Sequence, residues 1–291
     1  MVSPQDMAPL MDQIMLFGDS ITEFAEGPEG FASVLRYTYI RRLDVVNRGL
    51  SGYNTDMALR VLDKIIPLNM PDKIRILTLF FGANDSCFPT ETNNQCVPLP
   101  QFRTNLIKII TTFQSRKNPR IILITNPPID ERSQRVLDNA RGFDLRRTAE
   151  NTKLYADAIR SVGKEFGFPV LDLWGEIMGR AGWKPGWQGP LPGSLDLPPN
   201  PVLAEYLTDG LHLSGMGYQL LSSCLMHTIG TSFPDQLPED LPYVLPSWSD
   251  GDAWKMCGET DFVINHRLRV IAPPVTDNGI HKPLPSIPLT E

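Results

Sequence analysis

Several things this chain lacks narrow what it can be. No apolar run comes near the roughly 20 residues that cross a bilayer, and the first residues, Met-Val-Ser-Pro-Gln-Asp-Met-Ala, have neither the basic n-region nor the apolar h-region of a signal peptide. There is no block of Lys or Arg, and the formal net charge of -6 disfavours a nucleic-acid partner. The pairs Arg41-Arg42 and Arg146-Arg147 fall in or beside helix-like segments and read as solvated faces. Cysteine is scarce: four in 291 residues do not make a disulfide scaffold, and no Cys-x-x-Cys suggests zinc or a thioredoxin-type site. Cys87 and Cys96 are close enough in sequence to close a small loop in an oxidising compartment, though nothing requires it. These absences point to a soluble, cytoplasmic protein with no membrane span and no metal.

What is present is the alternation of an α/β protein. Apolar runs at 14–17, 43–47, 74–81, 121–125 and 169–173 read as strands. Helical spacing fills 30–42, 55–66, about 100–116, about 144–166 and about 215–229. Five strands alternating with helices imply a mostly parallel sheet covered on both faces. The core domain is expected to span 1–233, with a Trp- and Pro-rich excursion or lid at 179–208. The Pro-rich tail, 234–291, is expected to pack on the domain or to mediate contacts, a homodimer among them.

The chemistry collects where the strands end. Gly18-Asp19-Ser20 follows the first strand, where open α/β sheets present ligands. Taken alone, it reads as a turn with a helix cap. Gly52 lies in the glycine-containing loop after the second strand, and Gly82-Ala83-Asn84-Asp85 follows the third. Asp209-Gly210-Leu211-His212 precedes the last helix. Serine is a poor nucleophile until a base takes its proton, and His212 is the best candidate for that base. Asp209 can fold back onto the other ring nitrogen and fix its tautomer. His227, His266 and His281 sit in helix or tail and fit that role less well. Backbone N–H groups of Ser20 and Gly52 and the Asn84 side chain are candidate oxyanion donors. Asn84 also opens an Asn-Asp-Ser sequon, but it directly follows the most apolar strand, a poor place for a glycan.

Together, Gly18-Asp19-Ser20, Gly49-x-x-Gly52, Gly82-Ala83-Asn84-Asp85 and Asp209-x-x-His212 resemble the four sequence blocks of the SGNH (GDSL-type) hydrolases, over residues 12 to about 230. The blocks around Asn47–Thr55, Gly82–Asp85 and Asp209–Ser214 are similar to the isoamyl acetate-hydrolysing esterase branch. Ile21 stands where many members have Leu. The resemblance implies a flavodoxin-like three-layer α/β/α sandwich and a triad of Ser20, Asp209 and His212. It also implies oxyanion donors from Ser20, Gly52 and Asn84, and neither metal nor cofactor. The expected substrate is a small-molecule ester with a short acyl group. A deacetylase, thioesterase or lysophospholipase of the same fold is the alternative, as is a silent ligand-binding member. Phe24, Tyr53, Pro127, Pro128 and Trp187 are candidate pocket walls, with core packing an equal reading for Phe24 and Tyr53.

Overall fold

The computed structural model describes residues 11–68, 72–90 and 95–257. Its centre is a sheet of β1 (Asp12–Gly18), β2 (Leu43–Gly49), β3 (Ile74–Phe80), β4 (Arg120–Ile124) and β5 (Val170–Leu171), in the order β2-β1-β3-β4-β5. Every pairing is parallel. This strand order reverses direction at β1, so the C-terminal ends of β1, β2 and β3 flank one crevice.

Side chains alternate across a strand, so each strand feeds two cores. Ile14 and Leu16 enter one hydrophobic cluster while Met15 and Phe17 enter the other. On the first face lie α1 (Ser20–Glu23), α2 (Phe31–Thr38), α7 (Leu173–Arg180) and α9 (Gly215–Ser232); the second carries α3 (Thr55–Ile65), α4 (Leu99–Arg116) and α6 (Ala149–Phe166). The three-layer α/β/α sandwich with a five-stranded parallel sheet is the architecture expected from the sequence. Among the described residues no helix is long and apolar enough to cross a membrane.

Two elements depart from the sequence reading. A helix not anticipated, α5 (Glu131–Ala140), follows β4, and it buries Glu131, Gln134 and Asp138. Its buried positions are polar, so apolar periodicity does not announce it. The helix expected from 144 begins only at Ala149, where the Thr148 hydroxyl accepts from Asn151 N–H and caps it. The residues displaced from it, Arg146 and Arg147, are not solvated: they are 7% and 3% exposed. Segment 179–208, expected as a structured excursion or lid, contains α8 (Pro201–Tyr206). Glu131 N–H donates to Gly193 O at 2.9 Å, and Leu195 N–H donates to Glu131 Oε2 at 3.0 Å.

By contacts the chain divides into two compact units, Met1–Leu241 and Pro242–Glu291. The first continues eight residues past 233 because the turns Pro234–Gln236 and Pro238–Asp240 are bonded into it. Tyr39 Oη donates to Gln236 O at 2.9 Å, and Arg42 Nε donates to Leu241 O at 3.0 Å. In the second unit, α10 (Gly251–Cys257) carries Trp254, whose indole N–H donates to Ser247 O. His266 and His281 lie outside the described residues.

Candidate active site

β1 ends at Gly18, where no side chain fits, because a Cβ there would lie 2.6 Å from Phe80 O. Asp19 then caps α1, its Oδ1 accepting from Ile21 N–H at 3.0 Å. Ser20 is therefore the first helical residue, held at the C-terminal edge of the sheet. Tyr218 of α9 donates its hydroxyl to Ile21 O at 2.7 Å and fastens this turn to the last helix.

The base arrives from the other end of the chain. Ser20 Oγ lies 2.9 Å from His212 Nε2, and His212 Nδ1 lies 2.7 Å from Asp209 Oδ2. Asp209 Oδ1 separately accepts the backbone N–H of Leu211 at 3.0 Å and of His212 at 2.8 Å. Burial pushes the Asp209 carboxyl up, but these hydrogen bonds and the imidazole outweigh it and hold the group at about 2. The loop can fold this tightly because Gly210 takes φ +85°, and a Cβ there would strike Asp130 O at 2.6 Å. Gln134 of α5 steadies it from outside, donating to Asp209 O at 2.9 Å.

The third group is Asn84. Its Oδ1 accepts from Gln95 Nε2 at 3.2 Å and Arg147 Nη2 at 3.3 Å, while its Nδ2 donates to Tyr53 O at 2.9 Å. Two donors on one side and an acceptor on the other fix which end of the amide is which. Gln95 Nε2 also donates to Gly52 O at 2.9 Å, so the loops carrying Gly52 and Asn84 are clamped together. Gly52 sits at φ +78°.

Beneath the site lie two fully buried carboxyls, Asp19 and Asp85. Burial raises each to about 7, against the Ile21 N–H at Asp19 and the Thr55 N–H and hydroxyl at Asp85. Asp85 ties the start of α3 to the Asn84 loop through Thr55 N–H at 2.8 Å.

Ser20, Gly52, Asn84, Asp209 and His212 all line one cavity of about 140 Å³. The five predicted wall residues do not line it. Phe24 is 53% exposed with its ring 5.8 Å from the His212 ring, and Trp187 is 40% exposed and bonded to Pro190 O. Pro127 and Pro128 are buried, and Tyr53 packs against the second core cluster. The walls are instead polar: Gln95, Gln134, Arg141, Arg146 and Arg147, with Leu137 and Leu211 as the apolar members. Cys87 and Cys96 are free thiols. Among the described residues no group of three or more His, Cys, Asp or Glu is arranged to hold a metal ion.

A serine hydroxyl bonded to an imidazole, with Gly52 and Asn84 lining the same cavity at the edge of a doubly wound sheet, fits an α/β enzyme suited to acyl transfer. Comparison with known proteins narrows that class. Residues 16–220 match the GDSL-like lipase/acylhydrolase family, and the chain belongs to it. It is 34% identical over 263 residues to the isoamyl acetate-hydrolyzing esterase 1 homolog of Mus musculus, covering 88% of this chain and 96% of that one. With the isoamyl acetate-hydrolyzing esterase of Saccharomyces cerevisiae it shares 31% identity over 250 residues, 82% of this chain and 94% of that one. A lipase/acylhydrolase from Enterococcus faecalis superposes with TM-score 0.54 at 25% identity, covering 80% of this chain and 98% of that one. An acetylxylan esterase from Geobacillus stearothermophilus shares the fold, with TM-score 0.53 at 16% identity over 75% of this chain and 94% of that one. The protein is a carboxylic ester hydrolase.

Proposed function

We propose that this esterase hydrolyses short-chain, acetate-type esters through Ser20, His212 and Asp209, by way of an acyl-enzyme. The observation that carries the reading is the unbroken chain of hydrogen bonds from Ser20 Oγ through both ring nitrogens of His212 to Asp209. His212 Nε2 removes the hydroxyl proton as Ser20 Oγ attacks the ester carbonyl. The N–H groups of Ser20 and Gly52 and the Nδ2 of Asn84 receive the oxyanion. His212 returns the proton to the departing alcohol, and water then repeats the sequence on the acyl-enzyme. Asp209, ionised throughout the neutral range, holds the Nδ1–H tautomer and offsets the imidazolium charge.

The preference for short acyl groups rests on size. A cavity of about 140 Å³ is small beside the roughly 300–1,000 Å³ of pockets that enclose drug-sized ligands. The yeast relative's name, an isoamyl acetate-hydrolyzing esterase, agrees with an acetyl-sized acyl group. In a 4-nitrophenyl ester series from acetate to palmitate, kcat/KM should be highest at acetate or butyrate and fall steadily beyond. A maximum at laurate or palmitate would overturn the reading.

The oxyanion role of Asn84 has its own signature. Losing one such donor costs about 10²–10³ in kcat, so Asn84→Ala should fall in that range with KM little changed. Arg147 and Gln95 then lose their common acceptor, so a thermal melt belongs beside the kinetics. A normal turnover number in a stably folded variant would remove Asn84 from the site.

A further inference from the structure

The cavity at Ser20 is walled by guanidinium groups, and they are not equivalent. Arg146 is neutralised by Asp138, with Nε 2.8 Å from Oδ1 and both side chains buried. Arg147 is buried and directs its Nε to Ala83 O at 2.8 Å and its Nη2 to Asn84 Oδ1. Arg141 differs. It follows α5 as its C-terminal cap, with its backbone N–H on the carbonyls of Asn139 and Asp138. Its side chain is exposed, and among the described residues no ion pair or hydrogen bond engages the guanidinium. Asp209 is the one acid among the described residues that lines the same cavity, and its carboxylate is occupied by His212. The cavity that Ser20 lines thus presents, among the described residues, one guanidinium with its donors uncommitted, on a chain whose net charge of -6 otherwise repels anions.

We propose that Arg141 is an anion anchor, and that the preferred substrates are short esters carrying a carboxylate a few bonds from the scissile carbonyl. This names the substrate class of the esterase site and rests on that reading. The physical case is that a guanidinium's planar fork matches a carboxylate with two parallel hydrogen bonds. A cleft lined by one sign of charge also raises the local concentration of oppositely charged ligand. Among the described residues Leu137 and Leu211 alone supply apolar lining, so a long hydrocarbon chain finds little to bury here. The bland role for Arg141 is a cation near the negative end of the α5 dipole, which stabilises the helix and is blind to substrate.

Three esters separate these roles: phenyl acetate is neutral, monophenyl succinate carries the carboxylate on the acyl side, and 4-acetoxybenzoate carries it on the alcohol side. The readout is kcat/KM for each anionic ester divided by that for phenyl acetate. For at least one of them the ratio should fall about tenfold in Arg141→Ala and further in Arg141→Glu. Rising ionic strength should compress the same ratio in the wild type. Ratios within about twofold of wild type for both esters in Arg141→Glu would overturn the anchor. Turnover of phenyl acetate judges the esterase reading separately. Calorimetric titration of Ser20→Ala with monophenyl succinate and with 4-acetoxybenzoate reads the anchor without catalysis. Binding that weakens when Arg141→Ala is added supports it, and equal affinity in the single and double variants counts against it.

Discussion

Ser20→Ala is expected to abolish hydrolysis of 4-nitrophenyl acetate, lowering kcat by a factor on the order of 10⁴–10⁶, the range seen when a nucleophile that acts as part of a unit is removed. The expectation follows from the position of the hydroxyl rather than from its residue type. Among the described residues Oγ is the single group hydrogen-bonded to His212 Nε2, and it makes that bond from the first position of α1. Nothing else in the turn can replace it, since the neighbouring carboxyl of Asp19 faces inward to Ile21 N–H and is fully buried. The fold should survive. The lost Oγ–Nε2 hydrogen bond is worth about 0.5–1.5 kcal/mol, while Asp19 still caps the helix and Tyr218 still holds Ile21 O. A fluorophosphonate probe should label the wild type and leave the variant unmarked. Labelling or turnover that persists in a folded Ser20→Ala protein would sink the assignment.

Asp209→Asn is expected to lower kcat by about 10⁴ with little change in melting temperature, as an Asp-to-Asn exchange does in a triad where the carboxylate fixes the tautomer. The two oxygens of Asp209 have different duties. Oδ1 accepts two backbone N–H groups and shapes the loop, while Oδ2 accepts the imidazole Nδ1–H. An asparagine keeps both backbone bonds only if its carbonyl takes the Oδ1 place. Its NH₂ then faces Nδ1, and two donors cannot share that contact. The imidazole moves its proton to Nε2, where it points at Ser20 and can no longer receive the hydroxyl proton. The reverse amide orientation would forfeit two backbone bonds to save one. A kcat within about tenfold of wild type would assign the orienting role to another group.

Much of the fold, and the grouping of the candidate site residues in one cavity, is legible in the sequence, and the reason is physical. The strands announce themselves because β3 and β4 are buried on both faces and read as continuous apolar runs. Ser20, Gly52, Asn84, Asp209 and His212 fall in short local motifs placed by the ends of those strands and the start of the last helix, so topology brings them to one cavity. The walls of that cavity follow no such rule. Phe24, Tyr53, Pro127 and Pro128 are near catalytic loops in sequence, but proximity along the chain does not say which way a side chain points. Arg146 and Arg147 are hidden by the ordinary expectation that paired arginines face water. Burial becomes tolerable through Asp138 and the carbonyl of Ala83, partners that only the folded loop supplies. Gln134 and Arg141 belong to a helix and its cap whose inward face is polar, and a polar inward face leaves no hydrophobic period to read.

The hydrogen bond between Ser20 and His212 spans 192 positions of sequence, and the one between Tyr218 and Ile21 spans 197. Closing so long a stretch of chain has an entropic cost that must be met before the contact returns anything. In the triad proposed above, a chain that has built all five strands has Ser20 in place but lacks His212 until the segment after residue 208 joins it. On that reading the serine of such a chain is inert, because no base takes its proton. Activity should therefore return on refolding no sooner than the contact between Ser20 and His212 forms.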